Sequence, residues 1–301
     1  MSKIEFNKQK DLVAIIAPAS GCLDAHVKLA QGIKLLGDNG LKSIVDERIF
    51  SYNSLDFFAS SREIRLKIFK QALLNKDIKI IWAFRGGYGC NEFIFDCLDI
   101  KPIGNKILIG YSDLTSLHIL FNQHYSIASI HGSVLTSLLP SGQGQDIKYI
   151  IDVLNGKEIR INLEPIIPSF NNKNIIGKTI GGNLTILCTM LGTKLYPQAN
   201  EKILILEDIN EKSYHIHRHL IHLKNAGIFD DVNAVIFGDF LKGDNLIKST
   251  IEHFCYNHIK EIPSYSAIGI GHGNLNYPII LGNLANISTN QLIIQSQFRL
   301  I

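Results

Sequence analysis

The chain has 301 residues, 46% of them apolar and 19% charged, with a mean hydropathy of +0.13. At roughly 100–200 residues per domain this is one large or two ordinary domains with enough apolar side chain for a packed core, which excludes a disordered chain. Lys and Arg number 30 against 27 Asp and Glu, a net charge of +3 with no basic block, which excludes a dedicated nucleic-acid binder.

No apolar run reaches the ~18 residues of a membrane span, and the stretch 12–17 has only the length of a buried strand. Neither a membrane segment nor a secretory signal is expected. The five cysteines, Cys22, Cys90, Cys97, Cys188 and Cys255, are scattered without a CxxC pair and read as reduced thiols of a cytoplasmic protein.

In chain order, 12–17 predicts a strand, 25–36 a helix and 42–46 a short strand. The next element is a helix over 60–74, with Ser60 or Ser61 as its cap. The strand 78–83 leads into Arg85-Gly86-Gly87-Tyr88-Gly89 and a helix reaching residue 99; the strand 106–109 leads into a helix over 114–122. This alternation predicts an α/β fold with a parallel sheet covered on both faces. Residues 156–174, rich in Asn, Lys and Pro, read as a linker between domains at 1–155 and 175–301. Beyond it lie a glycine-containing stretch at 177–182, an apolar helix over 184–191, a strand over 202–206, a helix over 214–226 and a strand over 234–237. The stretch 279–296 reads as a hairpin, with strands 282–287 and 291–295 around Ser288-Thr289-Asn290.

Four segments carry residues suited to chemistry. In Gly110-Tyr111-Ser112-Asp113 a serine sits on a strand-to-helix turn, and the Asp113 amide lies where unpaired donors favour an anion. On this segment alone the plainer reading, Ser112 or Asp113 as a helix cap, is the favoured one. Leu114 occupies the place of the last glycine of GxSxG, which disfavours an ordinary α/β-hydrolase. The Arg85–Gly89 glycines, likewise at a strand end, expose backbone amides to a ligand or simply make a tight turn. Glu207 ends an apolar strand, whereas Asp208 and Glu211 read as solvated; His272 stands between glycines in a loop. Together Ser112, Glu207 and His272 supply a nucleophile, an orienting acid and a general base. A competing cluster is His215, His219 and His222, which share a helix face with His217 between them; it reads as a wet helix face or as zinc ligands.

Six segments in this order resemble the LD-carboxypeptidase family of serine peptidases. They are Ile16-Ala-Pro-Ala-Ser-Gly, Arg85-Gly-Gly-Tyr-Gly, Gly110-Tyr-Ser-Asp, Gly181-Gly-Asn-Leu, Leu206-Glu-Asp-Ile-Asn-Glu and Gly271-His. The resemblance implies a Rossmann-like N-terminal domain carrying the nucleophile and a C-terminal β-barrel-like α+β domain carrying the acid and base, often in a homodimer. It implies Ser112 as nucleophile, Glu207 as acid, His272 as base, and the amides of Gly86 or Gly87 and of Asp113 as the oxyanion hole. The implied reaction releases D-alanine from meso-diaminopimelate in murein tetrapeptide during peptidoglycan recycling, with no metal or organic cofactor, no nucleic acid and no membrane as partner. A sibling reading within the family is a microcin-immunity peptidase that cleaves a peptidyl-nucleotide. The chain departs from the family where His131-Gly132-Ser133 replaces a proline turn, at Ser213-Tyr214, and at His217 before Arg218. Two other classes stay open on the residues alone: a non-catalytic nucleotide or anion binder using the glycine loop, and a metal hydrolase built on His215, His219 and His222.

Overall fold

The strands Leu12–Ile16, Ile78–Ala83 and Ile107–Gly110 are nearly unbroken apolar runs, and such runs persist only where both faces of a sheet are covered. In the computed structural model, which describes residues 4–51 and 55–301, they form the centre of a six-stranded sheet. From edge to edge it runs Ile279–Leu281, Ser129–His131, Ile107–Gly110, Ile78–Ala83, Leu12–Ile16, Ser43–Val45. All neighbours are parallel except Ile279–Leu281, which is antiparallel to Ser129–His131. The helices Ala25–Asp38 and Arg62–Leu74 are crossovers between these strands. The second begins where Ser61 Oγ accepts the Ile64 amide, which makes Ser61 the cap and leaves Ser60 buried.

The second sheet has eight strands, in the order Ile159–Asn162, Gln291–Ile294, Leu284–Ser288, Ile175–Asn183, Lys202–Ile209, Ala234–Leu241, Ser264–Ser266, Glu164–Pro165. The run from Ile175–Asn183 through Lys202–Ile209 and Ala234–Leu241 to Ser264–Ser266 is parallel, and the other pairings are antiparallel. Its two edge strands are separated in sequence by Leu163 alone, so the sheet curls into a nearly closed barrel. Ile4–Phe6 and Phe298–Leu300 make a separate parallel pair.

Several expectations are corrected. The linker 156–174 supplies both edge strands of the barrel, and the alternating burial of Ile159–Asn162 is that of a strand with one face in the core. The segment 175–301 does not stay within its own domain, because Ile279–Leu281 completes the first sheet. The hairpin is therefore Leu284–Ser288 with Gln291–Ile294, turned by Thr289 and Asn290 with φ of +49° and +54°. The helix expected to reach residue 99 is two 3-10 turns, Cys90–Glu92 and Ile94–Cys97, because Arg65 and Asp113 take the backbone groups around Gly89 and Cys90. The helix expected over 114–122 is the short helix Thr115–Ile119 followed by a wider π turn, Leu120–His124.

The loops at the carboxyl edge of the first sheet are tied by Arg65, a buried residue of the helix Arg62–Leu74. Its guanidinium donates to Ser60 O at 3.0 Å, to Pro18 O and Gly89 O at 2.8 Å each, and to the Glu92 carboxylate. Five donors in a rigid fork suit this task, and a lysine cannot replace them. Truncation strands three carbonyls and a carboxylate. We expect Arg65→Met to lower unfolding free energy by about 3–5 kcal/mol and Arg65→Lys to recover only part of it, as read by urea titration; an unchanged midpoint in Arg65→Met would contradict this role.

Candidate active site

Ser112 follows the strand Ile107–Gly110 after one extended residue, Tyr111, and has a left-handed backbone with φ of +66°. For a side chain with a Cβ that conformation costs about 1–3 kcal/mol, and it persists only where the surroundings enforce it. It turns the hydroxyl out of the sheet. The chain continues as a 3-10 turn, Ser112–Leu114, and then the five-residue helix Thr115–Ile119, so local amides rather than a long helix dipole face Ser112. Gly86 lies against it: a Cβ there would sit 2.8 Å from Ser112 Cβ, so only glycine lets this loop approach so closely. Among the described residues no hydrogen bond takes the amide of Gly86 or Gly87. Asp113 is buried and accepts the Cys90 amide at 2.8 Å, pinning the end of the glycine loop; burial raises its carboxyl above the ordinary value.

Glu207 lies in the strand Lys202–Ile209 with no solvent access. Opposite it, the strand Ala234–Leu241 has two residues, Gly238 and Asp239, where its partner has one. This bulge re-aims the strand end, a common device beside functional sites. Asp239 then holds the loop beyond: its amide donates to Ile270 O at 2.8 Å and its carboxylate accepts the Gly269 amide at 3.2 Å. The loop presents His272, whose Nδ1 is 2.6 Å from Glu207 Oε2. The approach depends on Gly271, with φ of +125°, where a Cβ would lie 2.7 Å from the same carboxylate oxygen. Burial pushes the Glu207 carboxyl up, but His272 and His131 outweigh it and bring it down to about 2.

Nothing in the sequence marks His131 as part of this group. It ends the strand Ser129–His131 of the first sheet, and its Nε2 is 3.7 Å from Glu207 Oε1. Tyr111 also belongs: its ring meets His272 edge-on at 4.5 Å, and its hydroxyl bonds Ser137 Oγ at 2.9 Å and Gln143 Oε1 at 3.2 Å. Gln143 and Gln145 donate to the carbonyls of His272 and Gly273. A buried histidine, tyrosine and two glutamines give no signal in sequence that separates them from core and loop residues.

Ser112, His272, Gly86 and Gly87 line one cavity of about 780 Å³. Among the described residues no hydrogen bond joins Ser112 Oγ to His272, so the structure pairs base with acid and brings the serine to the same wall. The cavity is lined by Lys28 and Arg85 from the first half of the chain and by Asp208 and Glu211 from the second. Asp208 is not solvated as expected. It is buried, and accepts from Asn183 Nδ2 at 2.9 Å, the Thr185 amide at 3.0 Å, Thr185 Oγ1 at 2.8 Å and the Ile209 amide at 2.8 Å. Nor do His215, His219 and His222 converge: His215 bonds Glu211 at 2.8 Å, His219 contacts Thr185 Oγ1 at 3.4 Å, and His222 is exposed.

Burial and the neighbouring Glu207 push the Asp208 carboxyl up to about 6 from 3.8. Between pH 4 and 6 the unfolded chain therefore gives up a proton that the native state retains, and this group subtracts stability as pH rises, by on the order of 3 kcal/mol. Asp208→Asn should flatten the stability–pH curve between pH 4 and 6.5 in urea titrations; an unaltered slope would contradict the assignment.

A family model described as the LD-carboxypeptidase N-terminal domain matches residues 13–132, and one described as the C-terminal domain matches residues 176–287. A Rickettsia conorii protein carrying only a provisional carboxypeptidase name is 34% identical over 96% of this chain and 90% of its own length. The murein tetrapeptide carboxypeptidase of Pseudomonas aeruginosa is 28% identical over 93% of this chain and 94% of its own. The solved microcin C7 self immunity protein MccF, in complex with aspartyl sulfamoyl adenosine, superposes with a TM-score of 0.80 at 20% identity, covering 99% of this chain and 98% of that one; this is a likeness of fold.

Proposed function

This chain belongs to the LD-carboxypeptidase family, and we propose that it is a serine-type LD-carboxypeptidase that removes D-alanine from meso-diaminopimelate in murein tetrapeptide. The observation that carries the reading is the 2.6 Å bond from His272 Nδ1 to a fully buried Glu207, on the wall that also holds Ser112.

The bond to Glu207 fixes the imidazole with its proton on Nδ1 and leaves Nε2 to take the hydroxyl proton. Nε2 has no hydrogen-bond partner among the described residues. Substrate binding closes the serine onto it, a tightening common in such sites. Ser112 Oγ then adds to the scissile carbonyl, and His272 carries the proton to the departing amine. The amides of Gly86 or Gly87 and of Asp113 receive the oxyanion. The Glu207 carboxylate, held ionised by its two histidines, stabilises the imidazolium that forms between these steps. Water releases the acyl group by the same route reversed.

The cavity's charges support a peptide ending in a free carboxylate. Lys28 and Arg85 suit that carboxylate, and Asp208 with Glu211 suits the ammonium that diaminopimelate carries on its side chain. The free thiols, four of five buried, suit a reducing cytoplasm, where recycled murein peptides are met. A homodimer belongs to the same proposal and is read by light scattering. A second reading is cleavage of a peptidyl-nucleotide; it is favoured by the fold likeness to the immunity protein solved with aspartyl sulfamoyl adenosine.

Mass spectrometry of purified protein with murein tetrapeptide should show loss of one D-alanine. Ser112→Ala should lower kcat/KM by on the order of 10⁴-fold or more with an unchanged thermal midpoint. D-alanine release that survives in Ser112→Ala would reject the nucleophile. Inertness toward tetrapeptide together with cleavage of a peptidyl-nucleotide would select the second reading. Glu207→Gln should cost on the order of 10⁴-fold in kcat by removing the charge that steadies the imidazolium.

A further inference from the structure

The helices Ser213–Asn225 and Ile247–His258 pack side by side on the barrel, away from the cavity that holds Ser112. The first contributes His217, and the second contributes His253 and His258. One ligand nitrogen from each lies within 4.8 Å of the others. The ring centroids are 5.9 Å apart for His217 and His253, 6.0 Å for His217 and His258, and 6.3 Å for His253 and His258. His217 Nε2 is shielded from solvent and has no hydrogen-bond partner among the described residues. A buried donor or acceptor left in that state is costly unless something takes it up.

We propose that His217, His253 and His258 form a binding site for one borderline divalent metal ion of the zinc class, which pins the two helices to each other. The donor set decides the class. Three imidazoles without a carboxylate suit zinc, nickel or copper and do not suit calcium or magnesium, which require oxygen ligands. Zinc–nitrogen bonds of about 2.0–2.1 Å place ligand nitrogens roughly 3.3–3.4 Å apart, so the rings close by no more than about 1.5 Å. His253 lies on the exposed side and His258 at the end of its helix, where side-chain rotation covers that distance. The Asn257 side-chain amide, 3.2 Å from His253 Nδ1, restrains that ring. An open cavity of about 460 Å³, lined by Ser213, Tyr214, His217, Ser249 and His253 among others, gives the ion and a water ligand access. None of the three histidines lines the cavity that holds Ser112 and His272. The site thus stands apart from the hydrolytic group and from the His215, His219 and His222 face.

The test uses the full chain, stripped with a chelator and titrated with zinc chloride against a competing chromophoric chelator. The expected result is one tightly bound equivalent and a thermal midpoint several degrees higher with zinc than without. His253→Ala and His258→Ala, chosen because neither side chain is in the core, should each weaken zinc binding at least tenfold and abolish the thermal shift. His222→Ala should leave both intact. The absence of a stoichiometric equivalent at micromolar zinc would overturn the proposal, as would undiminished binding in both His253→Ala and His258→Ala. Hydrolysis of tetrapeptide is not the readout, so failure here is separate from failure of the peptidase assignment.

Discussion

A carboxylate with no route to water survives only while compensating groups stay within reach, and Glu207 depends on two imidazoles brought by different parts of the chain. His131 arrives from the end of a strand in the first sheet, and His272 from a loop after the parallel strands of the second. The acid is therefore a joint between the two sheets as well as a candidate member of the hydrolytic group. Much of the local architecture stems from that requirement. The Gly238–Asp239 bulge turns the neighbouring strand, Asp239 captures the loop, and Gly271 yields the space a side chain would occupy.

A similar constraint governs the serine. A left-handed Ser112 is unfavourable in isolation, so the fold holds it from several directions. Gly86 presses against its Cβ, and Asp113 and Arg65 together anchor the end of the loop that carries Gly86, through the Cys90 amide and the Gly89 carbonyl. Arg65 also binds Pro18 O, so the loops after two neighbouring strands share one fastening. Rigidity built from backbone carbonyls and a single guanidinium leaves the cavity wall free to present amides.

Much of this is legible from the residues. The apolar runs mark the strands of the first sheet, and Ile78–Ala83 ends where its pattern does. The glycine loop, Ser112, Glu207 and His272 stand out because each sits where an apolar segment gives way to polar or glycine residues, and the resemblance ties them together. The misses share a physical cause. Asp208 reads as solvated because an acid after a strand normally is, yet the strand continues to Ile209 through pairing with a partner distant in sequence. The sequence reading passes over Arg65, since a helical pattern cannot reveal three carbonyls waiting beneath it. The strand Ile159–Asn162 does alternate, but four residues among Asn, Lys and Pro carry too little signal. That Ile279–Leu281 crosses to the other sheet is a tertiary choice with no local signature.

That crossing bears on how the protein is made. During synthesis from the amino end, the first five strands of the parallel sheet leave the ribosome long before the strand that covers their outer edge. His131, on that edge, waits for both its antiparallel neighbour and the acid it faces. From the synthesis of His131 until that of Ile279 the nascent chain thus carries an uncapped β edge, a template for pairing with other chains.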